Sequence, residues 1–555
     1  MKIDTLAFRI ALLCLPLSAP AQAWKWAQSL GTPNNTTAIK TIRPYTGAQV
    51  LVCGSFAAPS LMLGSHTINN AGQDDGFIAI ADNTGQYSWA TGLGGSGREF
   101  VVDAAAGAAG DLVVVGNFSS IALSIGSVNL QNSGETDVFL AKYNADKTLA
   151  WVKKIGTADI DEVSDVSVDA DENVYVSGQE VDKFSLVTNH VFLRKYDAAG
   201  NLVWEKKGTL QAGILQATAL TIDENQHIYL GGAVSGTAVF DGISFTSDWG
   251  YSGFIIKYNT AGAIIDTFTN PNLDKFNDLQ AHGNHIYGCA ERINWALGWG
   301  WPLSDSKIFV LQLDTNLNTI WEKSAGGANS SQSLDIAKNI SVDTDGNAYV
   351  TGYFFSDTLH FAGQSLPNLY NVNYFYPQIF VLKYAADGTE VWGKSYGGIH
   401  TEEGTGIYAF GDDQFYLAGN FDSDPVAFGD YELHNTGTLD SMYVHLRPSR
   451  YLRTTMSYLG VFDKNVSSTQ PEPALQDVAI FPNPAADYIT LRLKSPVNAS
   501  VQLQISTSDG RVVRQSIYGN PALDIKEDIR SLTQGLYFIT LKSEGGVFSG
   551  KFVKN

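Results

Sequence analysis

Short runs of β-branched and aromatic residues, separated by tight-turn dipeptides, recur along most of this chain. The clearest example runs from Asp335 to Gly398, where we predict strand segments in a run ending in AYVTG, then in LHFAG, IFVLKY and TEVWGKSYGG. Asp-Gly pairs at 345–346 and 387–388 separate these segments and favour hairpin turns. The pattern therefore predicts short antiparallel strands.

The same segment recurs seven times. Its anchor is the small residue that ends the YVTG-like strand, found at Gly54, Gly116, Gly178, Gly232, Ala290, Gly352 and Gly419. The spacings between successive anchors run from 54 to 67 residues. A regular period of this length indicates a repeat architecture.

A second anchor is a tryptophan in the last strand of the unit, at Trp89, Trp151, Trp204, Trp321 and Trp392. The fourth unit has Asp266 there, and the seventh, which ends at SMYVHLRPS, lacks the strand. The segment WKWAQSLG near the N-terminus supplies the missing strand, with Trp26 at the equivalent place. A ring of four-stranded sheets closed by this strand explains the offset, because closure covers exposed strand edges. We predict an all-β fold, a seven-bladed β-propeller over residues 24–448. The alternatives are another blade count, an open solenoid or a row of sandwich domains.

Two flanking regions differ from the repeats. Residues 1–23 have the pattern of an export signal, with Lys2 and Arg9, an apolar run too short to span a membrane, and the small-residue site Ala21-Gln22-Ala23. Residues 449–477 are polar and proline-bearing, which predicts a linker. Residues 478–555 contain five alternating segments and predict a small β-sandwich.

Composition narrows the class of partner. Hydrophobic residues at 44% and charged residues at 17% are typical of a folded chain. A net charge of −20 disfavours a nucleic-acid partner, because phosphate binding needs a basic surface. Only Cys53 and Cys289 follow the predicted signal, too few for a disulfide framework.

Two resemblances follow from these motifs. The pattern of VDxxGNxYVTG followed by FVxKYxxxGxxxW resembles the bacterial seven-bladed β-propeller repeat family, over about three quarters of the chain. That resemblance implies a fold and not an activity. The C-terminal segments FPNPAADYITL, DGRVV, LTQGLYFITL and KFVKN resemble the sorting domain of the type IX secretion system of Bacteroidetes. Its matching residues are Pro482, Asn483, Pro484, Gly510, Gly535, Lys551 and Lys554.

The second resemblance implies a route. It implies Sec-dependent transfer to the periplasm and passage across the outer membrane by the type IX machinery, which reads the tail. It further implies removal of the tail near the linker, followed by release or attachment to the surface.

Acidic residues recur seventeen positions before four of the anchors, at Glu99, Asp161, Asp335 and Glu402. The corresponding places in the first, fourth and fifth units hold Thr37, Leu215 and Leu273. We expect these places at the start of each innermost strand, near one mouth of the central channel. Four carboxylates there could bind a cation or sugar hydroxyls, or they could brace loops.

An aromatic patch in the fifth unit, NWALGWGWP at 294–302, exceeds what a short hairpin needs. Its tryptophans, Trp295, Trp299 and Trp301, suit sugar stacking or protein contacts. The alternative is that they fill the core of an irregular blade.

Two further patterns concern metals. Asp343-Thr-Asp345-Gly-Asn347 resembles the start of a calcium loop, yet the segment runs directly into a strand and the same residues suit a hairpin turn. The pair His282 and His285 has a spacing found in some metal sites but lacks further ligands nearby in sequence. Calcium is therefore the one ion left open, and no other cofactor is predicted.

These patterns predict an exported binding, adhesion or scaffold module for glycans or surface proteins, with no catalytic site assigned. One alternative is an extracellular polysaccharide-active enzyme that uses the channel-mouth carboxylates, since glycosidases work with paired carboxyl groups. Another is a structural component of the cell envelope or gliding surface.

Overall fold

The computed structural model describes residues 23–555 apart from 33–34, 185–187, 297–302, 328–333, 369–375, 436–439, 443–449, 453–454, 465–475, 478, 493–500, 508–511, 519–523 and 544–545. Every regular element within the described residues is a β-strand, so the chain is all-β as predicted. Two compact units are present. The first spans Gln22–Lys464, and the second contains Asn465–Asn555.

The first unit is built from seven four-stranded sets, called sheets 1 to 7, with strands numbered in chain order. The N-terminal strand β1 spans Ala23–Leu30. Sheet 1 has β2 (Thr37–Pro44), β3 (Val50–Phe56), β6 (Asp75–Ala81) and β7 (Tyr87–Gly95), with the hairpin β4 (Ser60–Leu63) and β5 (His66–Asn69) inserted. Sheet 2 has β8 (Glu99–Ala106), β9 (Leu112–Phe118), β12 (Asp137–Tyr143) and β13 (Leu149–Ile155), with the hairpin β10 (Ala122–Ile125) and β11 (Val128–Gln131).

Sheets 3 and 4 share one long strand. Sheet 3 has β14 (Ile160–Val168), β15 (Val174–Val181), β16 (Thr188–Tyr196) and the first half of β17 (Leu202–Ile222). Sheet 4 takes the second half of β17 with β18 (Ile228–Phe240), β19 (Ile243–Tyr258) and β20 (Ile264–Asn270). Sheet 5 has β21 (Lys275–His282), β22 (His285–Ala296), β23 (Leu303–Asp314) and β24 (Thr319–Gly327).

The last two sheets complete the unit. Sheet 6 has β25 (Ile336–Val342), β26 (Ala348–Phe354), β29 (Gln378–Tyr384) and β30 (Glu390–Tyr396), with the hairpin β27 (Thr358–Phe361) and β28 (Gln364–Pro367). Sheet 7 has β31 (Glu402–Gly411), β32 (Gln414–Phe421) and β37 (Met456–Asp463). The hairpins β33 (Val426–Phe428) with β34 (Tyr431–Leu433), and β35 (Asp440–Met442) with β36 (Arg450–Leu452), lie between β32 and β37.

The outermost strand of sheet 7 comes from the start of the chain. Its strand order is β31-β32-β37-β1, and β1 pairs antiparallel with β37 over Ala23–Leu30. Around the unit, each innermost strand contacts the innermost strand of the next sheet, and β31 contacts β2. A separate buried apolar cluster lies between each two neighbouring sheets, including one between sheets 7 and 1.

Two details of the predicted repeat are wrong. The run ending in AYVTG contains two strands, β25 and β26, while LHFAG forms the hairpin strand β27, which pairs with β24 of the preceding sheet. In addition, the third strand of sheet 7 is Met456–Asp463 and not the SMYVHLRPS segment. The first unit therefore ends at Lys464, later than the predicted boundary at 448. LHFAG and SMYVHLRPS both have a composition typical of strands. Their spacing along the chain therefore does not show whether they belong to the repeat or to an insertion.

The repeated tryptophans fasten neighbouring sheets to each other. The indole N–H of Trp151 donates to Ala198 O at 3.0 Å, in the turn before the last strand of the next sheet. Gly200 in that turn has φ +80°, and a Cβ there would lie 2.8 Å from the Trp151 ring. Glycine is therefore required both for the backbone conformation and for the close approach of the ring. Trp26 makes the equivalent bond to Asn83 O of sheet 1, at 2.9 Å.

The second unit consists of two facing sets of strands. One sheet has the order β38-β45-β44-β41-β42, and the other has the order β39-β40-β43. Their bounds are β38 (Gln476–Asp477), β39 (Ala479–Phe481), β40 (Tyr488–Arg492), β41 (Val501–Thr507), β42 (Val512–Tyr518), β43 (Asp524–Asp528), β44 (Gly535–Ser543) and β45 (Gly546–Lys554). A buried apolar cluster draws residues from both sheets, which is how a small β-sandwich forms its core.

Candidate binding site at the mouth of the channel

The seven innermost strands surround a channel. A cavity of about 270 Å³ is lined by residues from all seven of them. Because the innermost strands run in the same direction along this channel, residues at their N-terminal ends meet at one mouth. We call this end the channel mouth.

The four predicted acids lie at this end. Glu99 and Glu402 are the first residues of β8 and β31, Asp161 is the second residue of β14, and Asp335 directly precedes β25. Each of the four residues is at most 2% exposed. The predicted placement at the start of the innermost strands is therefore confirmed.

These carboxylates hold the loops of the mouth in place. Glu99 accepts hydrogen bonds from Gly95 N at 2.7 Å and from the Ser120 hydroxyl at 2.5 Å, and so connects the loops before β8 and after β9. Asp335 does the same with Gly327 N at 3.0 Å and the Ser356 hydroxyl at 2.5 Å. Buried carboxylates that accept several hydrogen bonds are satisfied within the fold. This arrangement supports the loop-bracing alternative for them.

In the fifth repeat, the residue equivalent to Glu99 lies one position later than the predicted Leu273. The backbone N–H of Asp274 donates to Glu291 O at 2.8 Å, and the next residue, Lys275, pairs with Glu291 across the sheet. By this register Asp274, and not Leu273, corresponds to Glu99. Phe276 pairs with Ala290, which lies 14 residues later, whereas Val101 pairs with Gly116, which lies 15 residues later, so a fixed count of seventeen residues overshoots by one there.

Glu402 gives a test of this buried carboxyl group. Burial raises its pKa to about 8, whereas the hydrogen bonds from the Ser423 hydroxyl and Gly398 N–H oppose the rise. Between its ordinary pKa of about 4.3 and this value, the folded chain holds a proton that the unfolded chain has lost. Stability should therefore fall as pH rises through this window. Glu402→Gln should flatten the dependence by up to about 1.4 kcal/mol per pH unit, measured by urea unfolding from pH 5 to 8.

The matched control for that measurement is Glu432→Gln, at an exposed position on β34. It should leave the pH dependence of the wild-type chain intact. Equal slopes in the two variants would show that Glu402 does not carry a proton into the folded state.

A charged cluster inside the channel was not anticipated from the sequence. Arg43 Nε donates to Asp103 Oδ1 at 2.8 Å, and its guanidinium nitrogens lie 3.5 Å from Asp165 and 3.7 Å from Asp278. These side chains come from sheets 1, 2, 3 and 5, so they meet across the channel. The carboxylate side chains are only 2–5% exposed. We call these four residues the channel cluster.

The channel cluster is electrostatically unbalanced, with three carboxylates around one guanidinium. Burial would lower the pKa of Arg43, but the three carboxylates outweigh it and raise this pKa. Burial and the negative charge of Asp103 raise the pKa of Asp165, against the opposing effect of Arg43. Burial raises the pKa of Asp278 in the same way, with Arg43 again opposing the rise.

The same acids connect neighbouring sheets. Asp165 Oδ2 accepts from Leu220 N of sheet 4 at 2.8 Å, and Asp278 Oδ2 accepts from Ile340 N of sheet 6 at 3.1 Å. A sequence signal for them exists, since Asp103 and Asp165 each follow a mouth acid by four residues. What no spacing reveals is that they converge on one arginine from another repeat.

A second cavity opens at the channel mouth. Its volume is about 350 Å³, and its polar lining includes Ser164, Gln179, Gln216, Thr218, Lys275, Asn277 and Lys338. An adjoining cavity of about 190 Å³ is lined by Lys40 and Lys338 and reaches the channel cluster. Amides, hydroxyls and ammonium groups offer hydrogen-bond donors and acceptors to a polar ligand. These residues are the functional candidates that sequence reasoning missed.

The predicted tryptophan patch is only partly described. Trp295 lies in β22, opposite Ser304 of β23. Trp299 and Trp301 lie outside the described residues, so the proposed binding role of this patch stays a prediction.

The segment from Asp343 to Asn347, which resembles the start of a calcium loop, forms a turn. The Asp343 carboxylate accepts from Asp345 N at 3.0 Å, from Asn347 N at 2.9 Å and from the Tyr349 hydroxyl at 3.2 Å. These are the bonds of an Asx turn. His282 and His285 face each other across the hairpin between β21 and β22. Over the described part of the chain, no three His, Cys, Asp or Glu side chains are grouped so as to hold a metal ion.

The motif residues of the second unit come together in space. Asn483 Nδ2 donates to Lys551 O, and Asn483 Oδ1 accepts from Val553 N, each at 3.0 Å. Gly535 pairs with Lys554 across β44 and β45. Pro482 and Pro484 flank Asn483, so the first and last motifs of the tail form one structural element. Gly510 lies outside the described residues.

Comparison with known families agrees with both units. Residues 479–555 match the family described as secretion system C-terminal sorting domain, and residues 327–353 match the family described as beta-propeller repeat. The chain therefore combines a β-propeller repeat with a sorting domain of the type IX secretion system, consistent with a Bacteroidetes-type protein. The sorting domain indicates export to the cell surface or the extracellular space through that machinery. No helix capable of crossing a membrane occurs among the residues that are described.

Individual relatives are distant. An uncharacterised WD repeat-containing protein of Acanthamoeba polyphaga mimivirus is 24% identical over 192 residues, which cover 28% of this chain and 14% of that protein. Among solved structures, the phage phi92 endosialidase has a TM-score of 0.36 at 10% identity, covering 92% of this chain and 76% of the phage chain. Sqt1 from Chaetomium thermophilum has a TM-score of 0.34 at 9% identity, covering 70% of this chain and 97% of Sqt1. Drosophila Plexin A in complex with Semaphorin 1b has a TM-score of 0.36 at 8% identity, covering 72% and 86% of the two chains.

Proposed function

We propose that the first unit is a seven-bladed β-propeller closed by β1, and that the protein is an exported module that binds a glycan at the channel mouth. Three observations support closure. The strand β1 pairs with β37, the innermost strands β31 and β2 contact each other, and Trp26 donates to Asn83 O of sheet 1. In this proposal, residues 1–23 direct the chain to the Sec pathway before the tail is read.

The polar lining of the cavity at the channel mouth supports the proposed binding role. The cavity of about 350 Å³ is lined by amides, hydroxyls and lysines. The carboxylates of Glu99 and Asp335, in contrast, already accept hydrogen bonds from loop backbone N–H groups and serine hydroxyls. Hydrogen-bonding side chains on a rigid ring suit recognition of a polyhydroxylated ligand. Acids already committed to the fold are poorly placed to act as a glycosidase pair.

The test is a binding and turnover screen of the purified full-length chain. A glycan array and an array of envelope proteins would be probed with and without calcium, and release of new reducing ends from the same polysaccharides would be followed. We expect glycan binding without breakdown. Breakdown that is lost in Glu402→Gln would establish the enzyme alternative, and binding to proteins alone would establish a protein-docking module.

A pair of matched variants locates the site. Gln216→Ala changes the lining of the mouth, whereas Gln131→Ala makes the same change on the exposed hairpin strand β11. Glycan binding should weaken in the first variant and persist in the second. The reverse result would move the site away from the channel.

A further inference from the structure

The lysines of the channel mouth form an unusual group in an acidic protein. The whole chain carries a formal net charge of −20, yet Lys275 and Lys338 line one cavity and Lys40 lines the adjoining one. The lining of the 350 Å³ cavity includes no carboxylate, whereas the adjoining cavity is also lined by Asp103, Asp165 and Asp278 of the channel cluster. The charged side chains that line the 350 Å³ cavity are therefore both cationic, opposite in sign to the net charge of the protein.

Lys275 and Lys338 differ in their ion pairs with the described residues. Lys275 forms an ion pair with Glu291 at 2.9 Å. For Lys338, no carboxylate of the described residues lies within ion-pair distance, and its ammonium lies 5.3 Å from the centre of the Tyr353 ring. Lys40 likewise lies 5.9 Å from the centre of the Phe100 ring. Neither ammonium group forms an ion pair with a described carboxylate, although Glu403 and Glu291 lie close enough to act on the charge of Lys338.

The electrostatics of Lys338 point the same way. Desolvation by the surrounding channel wall and the like charge of Lys275 lower its pKa, Glu403 and Glu291 raise it, and the like charge of Lys40 lowers it least. A bound anion would offset this repulsion, because opposite charges at short range favour the protonated form. An uncharged ligand would leave the crowding in place.

We infer that the channel mouth binds an acidic saccharide, a sugar unit that carries a carboxylate or a sulfate group. Lys338, Lys40 and Lys275 attract the anionic group, while Gln216 and the other amides and hydroxyls of the lining take the sugar hydroxyls. The cavity of about 350 Å³ is at the small end of ligand pockets, which are roughly 300–1,000 Å³. It therefore suits the terminal one or two units of a chain. This inference rests on the proposed glycan-binding function and names the ligand class.

The experiment is isothermal titration calorimetry on the full-length chain. The probes are an oligogalacturonate, a sulfated galactose oligomer and a neutral galactose oligomer of equal length, with sodium sulfate and sodium acetate as sugar-free anions. We expect at least one acidic oligomer to bind at least tenfold more tightly than the neutral oligomer, and its affinity to fall as salt is raised. The preferred oligomer distinguishes a carboxylate from a sulfate ligand.

Variants assign the effect to the lysines. Lys338→Gln should weaken binding of the acidic oligomer by about tenfold or more, the size expected for one charge-assisted hydrogen bond, and Lys338→Arg should retain most of it. Lys40→Gln should also weaken binding. The control is Lys207→Gln, which removes the same charge from the outermost strand of sheet 3. No ion pair is lost at Lys338, so folding should be unaffected.

Three results would overturn this inference. They are equal affinity for neutral and acidic oligomers, equal affinity for sulfate or acetate alone, and unchanged binding in both Lys338→Gln and Lys40→Gln. If the array detects a neutral glycan whose binding ignores these lysines, the proposed function stands and the acidic ligand does not. If no glycan binds at all, both are wrong.

Discussion

Replacing Trp24 with alanine should lower the free energy of unfolding of the first unit by about 3–5 kcal/mol, as for other buried tryptophans. Trp24 is only 6% exposed. Its ring makes edge-to-face contacts with four aromatic side chains at centroid distances of 5.0–6.2 Å, namely Tyr396, Phe415, Phe428 and Phe462. Removing it leaves a cavity at the joint where the N-terminal strand meets sheets 6 and 7.

Tryptophan fluorescence during urea unfolding measures this change cleanly. All eleven tryptophans of the chain precede residue 393, so the signal reports the first unit alone. The control is Ser29→Ala, on the same strand at an exposed position, which should change stability by less than about 0.5 kcal/mol. Similar midpoints for the two variants would mean that β1 is not docked on sheet 7.

Ring closure can be tested with the same strand supplied separately. A chain lacking residues 23–30 exposes the edge of β37, and an exposed strand edge accepts a complementary strand. A synthetic peptide with the sequence AWKWAQSL should bind this shortened chain and restore its resistance to proteolysis. The peptide should not bind the full-length chain, where the edge is covered.

The second large effect concerns the channel cluster. Arg43→Met should destabilise the first unit by about 3–5 kcal/mol at neutral pH, because it removes the guanidinium that lies against three buried carboxylates. Arg43→Lys should lose less stability, since it keeps the charge, although one compact ammonium cannot reach all three carboxylates as the wider guanidinium does. The measurement is again urea unfolding followed by tryptophan fluorescence.

The pH dependence of Arg43→Met follows from the same charges. Burial already raises the pKa of Asp165 and Asp278, with Arg43 opposing the rise, so the variant should raise both further. A folded-state pKa above the unfolded value means that stability is lost as pH rises. The variant should therefore recover part of its deficit between pH 7 and pH 5. A deficit that grows on acidification would contradict this account of the cluster.

Arg98→Met serves as the control for the cluster. Arg98 is 61% exposed and pairs with Asp74 at 3.2 Å on the surface of the same unit. Exposed pairs of this kind contribute at most about 1 kcal/mol. A loss at Arg43 no larger than the loss at Arg98 would show that the channel is well hydrated and that its charges are screened.

The repeat and the turn chemistry could be predicted from the sequence because they are local. The turn between Asp343 and Tyr349 is determined locally, since the Asp343 carboxylate accepts hydrogen bonds only from groups within six residues of it in these contacts. Three of the five repeat tryptophans, Trp89, Trp204 and Trp392, follow a glycine by four residues. This spacing is visible in the sequence, although its reason is the close approach of an indole from the preceding sheet. The motifs of the sorting domain were also recognisable, because each is a short contiguous sequence and the four occur in a fixed order.

Insertions limited the prediction of boundaries. The hairpin β27–β28 and the segment between β32 and β37 contain strand-forming residues, so their composition does not separate them from the strands of a sheet. Only the strand with which each segment pairs shows whether it belongs to a sheet of the repeat or to an insertion. The hairpin β27 bonds to the previous sheet, and Met456–Asp463 occupies the place that SMYVHLRPS was expected to fill.

By itself, the sequence determined that the chain is a β-repeat protein with a sorting tail, and it identified the acids that begin the innermost strands. The tertiary structure alone decided what those acids do and which residues face the channel. Arg43 and Asp278 are far apart in the chain and meet only because the innermost strands of their sheets line one channel. The cavity of Lys275 and Lys338 arises in the same way, from neighbouring sheets whose lumen-facing residues share no sequence signal. Contacts across a channel depend on how repeats are arranged in space, and a linear period carries no information about that arrangement.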